Sequence, residues 1–380
     1  MPDVSKTKRN VLSIIDYALK ESSVQKIFRS SVRLRGNTLK IKNSSYNLKN
    51  YDKIYVLGSG KASYGMALSL KKVLGKRISN GLIIYTKKEK NIGRIRVEKG
   101  THPLPSNQSL YSTKKLLRLA RKTTVRDLTI YLLSGGTSTM LCHPTISMKK
   151  FVELNRGLIL SKRNIKQINR IRTRFSRVKG GRLLNHIQGK VVNLVISDVV
   201  GDSLEYIGSG PLYTKNKKNK VDSFIIANNR TLLKKAAEKA VKLGYRTKVV
   251  YPEYEGSPSA LARKFRTLSK SLSPGTCIIS GGELDMEVKG RGKGGPNQNF
   301  VLRCNRTKAT LASIDSDGID GKSKAAGAIA DESDFTGKEK QIQKYLKNSD
   351  SYSFFQKTGG SIITGPTGNN LNDLRVMIKN

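Results

Sequence analysis

The sequence contains few of the side chains that usually bind metals or form covalent intermediates. Its three cysteines lie far apart, form no CxxC pair and leave an odd thiol. This pattern argues against a zinc centre or a disulfide framework and favours a reducing compartment. The three histidines have no spacing typical of a metal site or a catalytic triad, and we interpret the one in the THPLPS turn as structural. These residues are Cys142, Cys277, Cys304, His102, His143 and His186.

Tryptophan and long apolar runs are also missing. Aromatic residues make up 6% of the chain and none is tryptophan, which leaves few platforms on which the bases of a single strand could stack. No apolar run approaches the ~20 residues that a membrane-spanning helix needs. The first ten residues, MPDVSKTKRN, have no apolar segment after their basic residues, unlike a secretory signal. We therefore expect a cytoplasmic protein without a membrane partner.

Acidic residues are scarce as well, with 27 Asp and Glu against 72 Lys and Arg, a net charge of +45. Such an excess ordinarily suggests nucleic-acid binding. However, the basic residues occur along the whole chain, and no zinc-finger, RRM or basic-zipper pattern accompanies them. The densest basic patch, KNKKNK at 215–220, is predicted to be a solvated loop. We expect no specific nucleic-acid partner, only loose association with polyanions.

Alternating strand and helix patterns predict an α/β protein. A chain of 380 residues is long for one core, so two domains are expected. Runs such as VVNLVIS are apolar on both faces, as in a parallel sheet covered by helices. We predict a Rossmann-like, doubly wound N-terminal domain over 1–247 and a smaller C-terminal α/β domain over 248–380. Strands are predicted at 81–86, 128–134, 190–197, 222–227 and 246–251, and helices near 8–30, 106–122, 148–162, 165–188 and 230–243.

The stretch IYVLGSGKASYGMA at 54–67 is typical of a strand, a glycine turn and a helix. It is not a Walker A loop, because Ala62 replaces the Ser or Thr, nor a dinucleotide fingerprint, because Ser63 replaces the third glycine. Gly58 and Gly60 still allow backbone N–H groups to approach an anion at a helix N-terminus. Lys61 opposes the helix dipole there, so it is either a solvated side chain or a partner for a phosphate or carboxylate.

Other predicted strands also end in glycine with small polar residues. Ligands of open α/β sheets bind beyond the carboxyl ends of strands. Any one of these ends is explained by turn chemistry, but together they indicate a binding site. They comprise Ser134, Gly135, Gly136, Thr137 and Ser138; Ser197, Asp198, Gly201, Asp202, Ser209 and Gly210; Ser280, Gly281, Gly282 and Glu283; and Asp315, Asp317 and Asp320.

A basic segment supplies the opposite charge. Asn169, Arg172, Ser176 and Lys179 follow one another at spacings of 3, 4 and 3, which predicts one face of a helix. Arginine offers a bidentate fork for a carboxylate or phosphate, and lysine offers a mobile charge. A solvated face remains the alternative. Glycine turns, cations and aspartates without a His or Cys cluster suit phosphoryl transfer, which mainly needs positioning and charge neutralisation.

In sequence order, the motifs VLGSGKAS, THPLPSNQSL, LLSGGTSTML, INRIRTRFSRVKGGRL, ISDVVGDSLEYIGSGP, SGGELDMEVKGRGKGG, DSDGIDG and TGPTGNNLNDL extend along most of the chain. In this order the sequence resembles the class II glycerate kinases, the glycerate 2-kinases with a C-terminal MOFRL-type domain, from about residue 8 to 379. The resemblance implies an active site in the cleft between two domains. The reaction it implies converts D-glycerate and ATP to 2-phosphoglycerate and ADP, with Mg²⁺.

The resemblance also implies roles for individual residues. Lys61 would act near the transferred phosphate, Arg172 would contact glycerate or phosphate, and Asp198 and Asp202 would hold Mg²⁺ or accept the hydroxyl proton. The implied partners are the small molecules glycerate and ATP, and a homodimer is compatible with the sequence. The remaining substrate- and nucleotide-binding residues would be Gly58, Ser59, Gly60, Ser134, Gly135, Gly136, Ser138, Asn169, Ser176, Lys179, Ser280, Gly281, Gly282, Glu283 and Asp317.

The sequence departs from the family pattern at one turn. Pro296 and Asn299 stand where the family usually has arginine and glutamate. We expect Arg291 or Lys293, in a glycine-rich and therefore flexible segment, to supply the missing charge. Two alternatives to the kinase stay open: a hydroxypyruvate-type oxidoreductase on the same fold, and a non-catalytic basic protein that binds nucleic acid.

Overall fold

A computed structural model describes residues 5–161, 165–214 and 220–379. The basic patch at 215–220 therefore lies, except for its last residue, outside the described residues. The helices are α1 Lys6–Glu21, α2 Val24–Ser31, α3 Ser63–Leu74, α4 Asn107–Ala120, α5 Thr137–Met140, α6 Met148–Leu160, α7 Ile165–Arg174, α8 Asn229–Lys242, α9 Pro258–Ser271, α10 Pro296–Arg303, α11 Glu332–Phe335, α12 Glu339–Lys347 and α13 Ser351–Thr358.

The strands fall into two six-stranded sheets and two smaller ones. They are β1 Val32–Arg35, β2 Thr38–Ile41, β3 Ser44–Asn47, β4 Ile54–Ser59, β5 Ile78–Tyr85, β6 Ile95–Lys99, β7 Leu128–Leu133, β8 Lys190–Ile196, β9 Val221–Ala227, β10 Arg246–Val249, β11 Glu255–Gly256, β12 Thr276–Ser280, β13 Glu283–Leu284, β14 Thr310–Asp315, β15 Gly327–Ala330, β16 Ser361–Ile362 and β17 Asp373–Ile378.

The first compact unit, Val24–Ala227, is built on a parallel sheet. Its strands lie in the order β6-β5-β4-β7-β8-β9, and every neighbouring pair is parallel. Counted along the chain from β4, this is the order 3-2-1-4-5-6 of a Rossmann sheet. All six residues of β4 and of β7 are buried, because helices cover both faces of a sheet of this kind. The predicted doubly wound architecture is confirmed.

The second compact unit joins the described residues up to Ser23 to those from Asn228 onward. Its sheet is mixed, in the order β10-β12-β17-β14-β15-β16, with only the β10–β12 pair parallel. Helix α1 packs in this unit against α8, β14 and β17. These compact units differ from the two domains that we predicted with a boundary at residue 247. That domain boundary stays a prediction.

Several local predictions were wrong. The helix predicted over 8–30 is two helices, because the chain turns at Ser22 and Ser23, where Ser22 N–H already bonds back to the Ala18 carbonyl. The segment after it forms the antiparallel sheet β1-β2-β3, whose alternating burial gives only a weak apolar signal. The helix predicted over 165–188 ends at Arg174. In the described ranges, no helix has the length and apolar character needed to cross a membrane.

Candidate active site

The turn between β4 and α3 is joined to the turn after β7 by backbone hydrogen bonds. These strands are neighbours at the point where the strand order of the parallel sheet reverses, which is where ligands bind in such sheets. Lys61 N–H donates to the Gly135 carbonyl at 2.8 Å, and Ala62 N–H donates to Ser134 Oγ at 3.0 Å. Gly60 has φ +124°, a conformation that only glycine adopts without strain. The structure thus brings together the predicted residues of the two turns.

Close packing at these turns requires glycine. A Cβ on Gly60 would overlap Ser134, and a Cβ on Gly135 would overlap the Asp198 carboxylate. A Cβ on Gly136 would lie 3.3 Å from Lys61 Cγ and 3.5 Å from His102 Nδ1. Lys61, Asp198 and His102 therefore all border the Ser-Gly-Gly turn after β7.

His102, which we interpret as structural rather than catalytic, also borders this site. Its Nδ1 lies 3.2 Å from Thr139 Oγ1 and close to Gly136, so its ring borders the same turn. Only the neighbouring prolines marked this position in the sequence, because the segment follows β6, at the edge of the same sheet.

The predicted Ser59 and Ser134 support the turns with their side chains. Both are buried, and Ser59 Oγ lies 2.7 Å from Tyr131 OH. Thr137 Oγ1 donates to the carbonyls of Ser59 and Ser134, each at 2.8 Å. This network fixes the backbone of both turns. The N–H groups of residues 60–63 all donate within the protein, so the first turn does not offer them to an anion as we expected. Gly58 lies inside β4, where its lack of a side chain lets β7 approach.

A second polar cluster continues from α5. Ser138 Oγ lies 3.0 Å from Ser209 Oγ, and Ser209 Oγ donates to Asn169 Oδ1 at 2.7 Å. Asn169 is 4% exposed, and its Nδ2 has no hydrogen-bond partner among the described residues. A buried amide donor without a partner is costly, so this group is well suited to a ligand oxygen.

A cavity of about 710 Å³ opens beside Asn169 in the same unit. Its lining residues also include both signs of charge and two tyrosines, and they do not include Lys61 or Asp198. The other lining residues are Arg170, Thr173, Gly180, Gly181, Arg182, Asn185, Glu205, Tyr206, Tyr213 and Thr214.

The predicted helix face over 169–179 is only half correct. Asn169 and Arg172 lie on α7, but the helix ends at Arg174, and Ser176 and Lys179 lie in the turn that follows. Ser176 Oγ accepts from the N–H of Lys179 at 3.3 Å, a local bond that competes with helix continuation. Ser176 and Lys179 therefore do not share a helix face with the other two residues.

Arg172 and Lys179 are both held in the interior. Arg172 Nε donates to Asn155 Oδ1 at 3.0 Å, and burial lowers the pKa of its guanidinium. Lys179 is fully buried and its Nζ donates to the Leu141 carbonyl at 3.1 Å. Burial lowers the pKa of Lys179 to about 8, with Arg172 adding to the effect and the neighbouring Cys142 opposing it.

The first acidic turn lies after β8. Asp198 faces Gly135, as described above, and Asp202 is half-buried with φ +55°. Throughout the described part of the chain, no group of three or more His, Cys, Asp or Glu side chains is placed to hold a metal ion. Mg²⁺ needs fewer, because it usually takes one or two carboxylates together with substrate phosphates and water. Asp198 and Asp202 fit that pattern.

In the mixed-sheet unit, the turn after β12 is built around buried polar groups. Asn229 Oδ1 accepts from Gly282 N–H at 3.0 Å, and a Cβ on Gly281 would overlap that same amide. Ser280 Oγ donates to the Tyr251 carbonyl at 3.2 Å, whereas Glu283 is exposed. Ser280 and Gly281 are thus interior residues of this turn.

The second acidic turn follows β14 and meets the start of α10. Asp320 is buried and accepts from the N–H groups of Asn297 at 3.0 Å and Gln298 at 2.9 Å. Burial raises the pKa of Asp320 to about 6 in spite of these hydrogen bonds. Burial, followed by the charges of Asp317 and Asp373, raises the pKa of Asp315.

Sequence reasoning missed the buried pair of Asp373 and Arg375. The guanidinium donates to the Asp373 carboxylate and to the Gly281 carbonyl, and both side chains are almost fully buried. Asn297 Nδ2 donates to Asp373 at 2.7 Å, which links the pair to the start of α10. The available signal was the segment NDLR at 372–375, which overlaps the end of the motif TGPTGNNLNDL.

The segment expected to be flexible is held in place. Pro296 is the first residue of α10, where proline is favoured. Arg291 N–H donates to Asn348 Oδ1 at 3.1 Å, and Lys293 N–H donates to Asp350 Oδ1 at 2.8 Å. Both side chains are exposed. The backbone hydrogen bonds do not support the flexibility by which we expected one of these side chains to reach the active site. Whether one of them supplies a catalytic charge stays a prediction.

The strand order and the turns at its reversal define a doubly wound α/β protein of Rossmann type with a site suited to an anionic ligand. The family models agree with this and go further. The model described as "Domain of unknown function (DUF4147)" matches residues 10–243, and the MOFRL family model matches residues 276–373. The chain belongs to the glycerate kinase family with a C-terminal MOFRL domain, and it is an enzyme of that family.

Three relatives illustrate the similarity. D-glycerate 2-kinase of Thermotoga maritima is 30% identical, over 86% of this chain and 90% of the relative. Glycerate 2-kinase of Pyrococcus horikoshii is 28% identical, over 97% of this chain and 96% of the relative. The crystal structure of glycerate kinase from Thermotoga maritima superposes with a TM-score of 0.85 at 27% identity, covering 98% of this chain and 99% of that one.

Proposed function

We propose that this protein is an ATP-dependent glycerate 2-kinase, which phosphorylates D-glycerate to 2-phosphoglycerate. The observation that carries the proposal is the lysine at the reversal point of the parallel sheet. Lys61 lies between two glycine turns that are bonded to each other, with Asp198 against one of them. A cation at this position neutralises phosphate charge, and charge neutralisation is a main requirement of phosphoryl transfer. Relatives named glycerate 2-kinase support the choice of substrate.

In the proposed reaction, the C2 hydroxyl oxygen of glycerate attacks the γ-phosphorus of ATP. The bond from that phosphorus to the β,γ-bridging oxygen breaks and ADP leaves, while the hydroxyl proton passes to a carboxylate oxygen of Asp198. Lys61 stabilises charge on the transferred phosphoryl group. Arg172 binds the glycerate carboxylate through its terminal guanidinium nitrogens, because only its Nε is hydrogen-bonded among the described residues. Asn169 Nδ2 donates to another substrate oxygen.

Mg²⁺ would be held by Asp198 and Asp202, and when bound it would neutralise phosphate oxygens. The support for this assignment is the Asp198 carboxylate that occupies the space over Gly135. Any Cβ at position 135 would displace it. A Gly135→Ala change should therefore weaken Mg²⁺-dependent ATP binding, measured by calorimetry with and without the metal.

The direct test is to incubate the protein with ATP, Mg²⁺ and D-glycerate and to identify the product by ³¹P NMR. Formation of 2-phosphoglycerate supports the proposal, and formation of 3-phosphoglycerate or no turnover contradicts it. A parallel assay with hydroxypyruvate and NADH examines the oxidoreductase alternative, because consumption of NADH would favour it. Tight, salt-sensitive RNA binding without ATP turnover would favour the non-catalytic alternative.

We further propose a cytoplasmic location, loose association with polyanions and a homodimeric state. All three cysteines are free and buried, which suits a reducing compartment. The charge of +45 supports salt-sensitive attraction to polyanions. Light scattering on the purified protein measures the oligomeric state, and a monomer at micromolar concentration would contradict the dimer.

A further inference from the structure

Four arginines converge on a small cavity in the mixed-sheet unit, and none of the predicted acidic residues lines it. The cavity has a volume of about 230 Å³. Arg263 and Arg266 reach it from α9, Arg303 from the last residue of α10 and Arg306 from the loop that follows, while Gln343 of α12 lies at its edge.

These guanidinium groups have no carboxylate partner. Among the residues that the structure describes, none of the four forms an ion pair. Arg303 Nε donates to the neutral Asn299 Oδ1 at 2.6 Å. Burial lowers the pKa of Arg303, and the charges of Arg263 and Arg266 lower it further. The cluster thus holds like charges together at a cost in free energy.

Three arginines elsewhere in the described residues are paired with carboxylates. Arg126 lies 2.8 Å from Asp52, and Arg230 lies 2.6 Å from Glu253, both on the surface. The buried Arg375 is paired as well. Arginines without a carboxylate partner also occur elsewhere in the described ranges, such as Arg182 and Arg246, so what sets the four apart is that they line one cavity.

The C-terminal end of α10 explains only part of the cluster. A helix C-terminus attracts cations, which accounts for Arg303 and Arg306. Arg263 and Arg266 lie in the middle of α9, which runs from Pro258 to Ser271, so no helix end attracts them. Ser259, Ala262, Arg263 and Arg266 share one face of α9 and all line the cavity.

We propose that this cavity binds a small phosphate-bearing anion, at a site separate from the candidate active site. Guanidinium forks match phosphate oxygens bidentately, and Gln343, Ser259 and Asn305 add neutral polar groups at the edge. The cavity is smaller than the ~300 Å³ at the low end for drug-sized ligands, which suits a diphosphate or a small phosphate ester. No aromatic side chain lines it, so it offers no stacking surface to nucleic-acid bases.

The test is calorimetric titration of the full-length protein with inorganic pyrophosphate at physiological ionic strength, where long-range attraction is screened. Arg263→Gln and Arg306→Gln each remove one fork from an exposed position, and we expect each to weaken binding by about tenfold or more. Arg246→Gln is the matched control, because Arg246 is equally exposed in the same unit and lies outside the cavity. All titrations are repeated in a Lys61→Ala background, so that a contribution of Lys61 to pyrophosphate binding is excluded.

Two variants that each add a carboxylate to α12 give a second readout. Gln343→Glu places a carboxylate at the cavity edge and should weaken pyrophosphate binding, whereas Gln341→Glu on the same helix should not. Equal effects of both members of either pair, or no effect of the arginine changes, would overturn the proposal. Preference for duplex RNA over pyrophosphate in competition would overturn it too. Glycerate kinase activity measured on the same variants reports separately on the proposed function.

Discussion

Lys61 lies at the start of a helix, where its charge is unfavourable unless an anion is present. We expect Lys61→Ala to lower kcat by at least about a hundredfold, because the lysine acts on charge that develops during transfer. The melting temperature should change little, since the side chain is only half-buried. Steady-state kinetics with ATP and D-glycerate measures the effect. Lys72→Ala, on the exposed side of α3, is the matched control, and full activity in Lys61→Ala would refute the role.

Arg172 presents a guanidinium that is anchored at one nitrogen by Asn155. If its fork grips the substrate carboxylate, Arg172→Ala should raise the KM for glycerate by about tenfold or more while changing the KM for ATP much less. Both constants are measured on the same preparation. An equal rise in the two KM values would place the glycerate carboxylate elsewhere.

Lys179 carries its charge into the core, and its pKa of about 8 is lower than that of an exposed lysine, about 10.4. Between these values the unfolded chain binds more protons than the folded one, so this group makes the folded state more stable as pH rises. The free energy of unfolding should therefore increase, relative to Lys179→Met, by up to about 3 kcal/mol from pH 8 to pH 10.5.

Urea denaturation of the wild type and of Lys179→Met at several pH values measures this difference. Lys150→Met, at an exposed position on α6, is the control and should show no such trend. A difference independent of pH would mean that Lys179 stays charged, or stays neutral, over the whole range.

At the residue scale, the structure brings predicted site residues together where the rules of the fold make chain segments meet. The turns at Lys61, Ser134 and Asp198 follow adjacent parallel strands, and strand ends meet at one edge of the sheet. The side-chain roles were less predictable. Ser134 bonds to the backbone and Lys179 is buried, outcomes that depend on packing between distant segments.

At the scale of elements, α10 begins at a buried carboxylate contributed by the turn after β14. The pKa of Asp320, about 6, exceeds the usual value of about 3.9. The folded state therefore holds a proton between these values that the unfolded chain releases, and the contribution of Asp320 to stability falls as pH rises from 4 to 6. Relative to Asp320→Asn, the free energy of unfolding should fall by about 2–3 kcal/mol from pH 4.5 to pH 7.

Thermal or urea unfolding of the two proteins across this pH range gives the difference. Asp285→Asn serves as the control, because Asp285 is exposed in the same unit. A constant difference between wild type and Asp320→Asn would show that the carboxylate keeps an ordinary pKa in the folded state.

Elements with continuous apolar runs were predictable from sequence, and short or irregular ones were not. The strands β7 and β8 lie within one residue of their predicted bounds, because burial on both faces leaves an unbroken apolar run. The strands β15 and β17 were missed. β15 is the run GAIA and β17 contains the buried Asp373 and Arg375, so neither shows the apolar pattern of a central strand.

At the scale of the whole molecule, the charge of +45 repels itself in the folded state. Raising the salt concentration from 0.01 M to 0.1 M shortens the screening length from about 30 Å to about 10 Å. We expect the melting temperature to rise over this range, by about 2–4 °C for each kcal/mol of repulsion relieved. Scanning calorimetry in NaCl, with sucrose at matched osmolality as control, measures the rise. No rise in salt, or an equal one in sucrose, would contradict this explanation.

The order of segments along the chain has a consequence for biosynthesis. Residues 24–227 form one compact unit from consecutive sequence, so that unit can begin to fold while the rest of the chain is still being translated. Helix α1 is made before the elements that it packs against, α8, β14 and β17. The strand β17, which lies between β12 and β14, is made after all the other strands of its sheet. The apolar face of α1 therefore stays without its native partners until these later elements have been made. Chaperones that bind exposed apolar surface would have this face as a target during that interval.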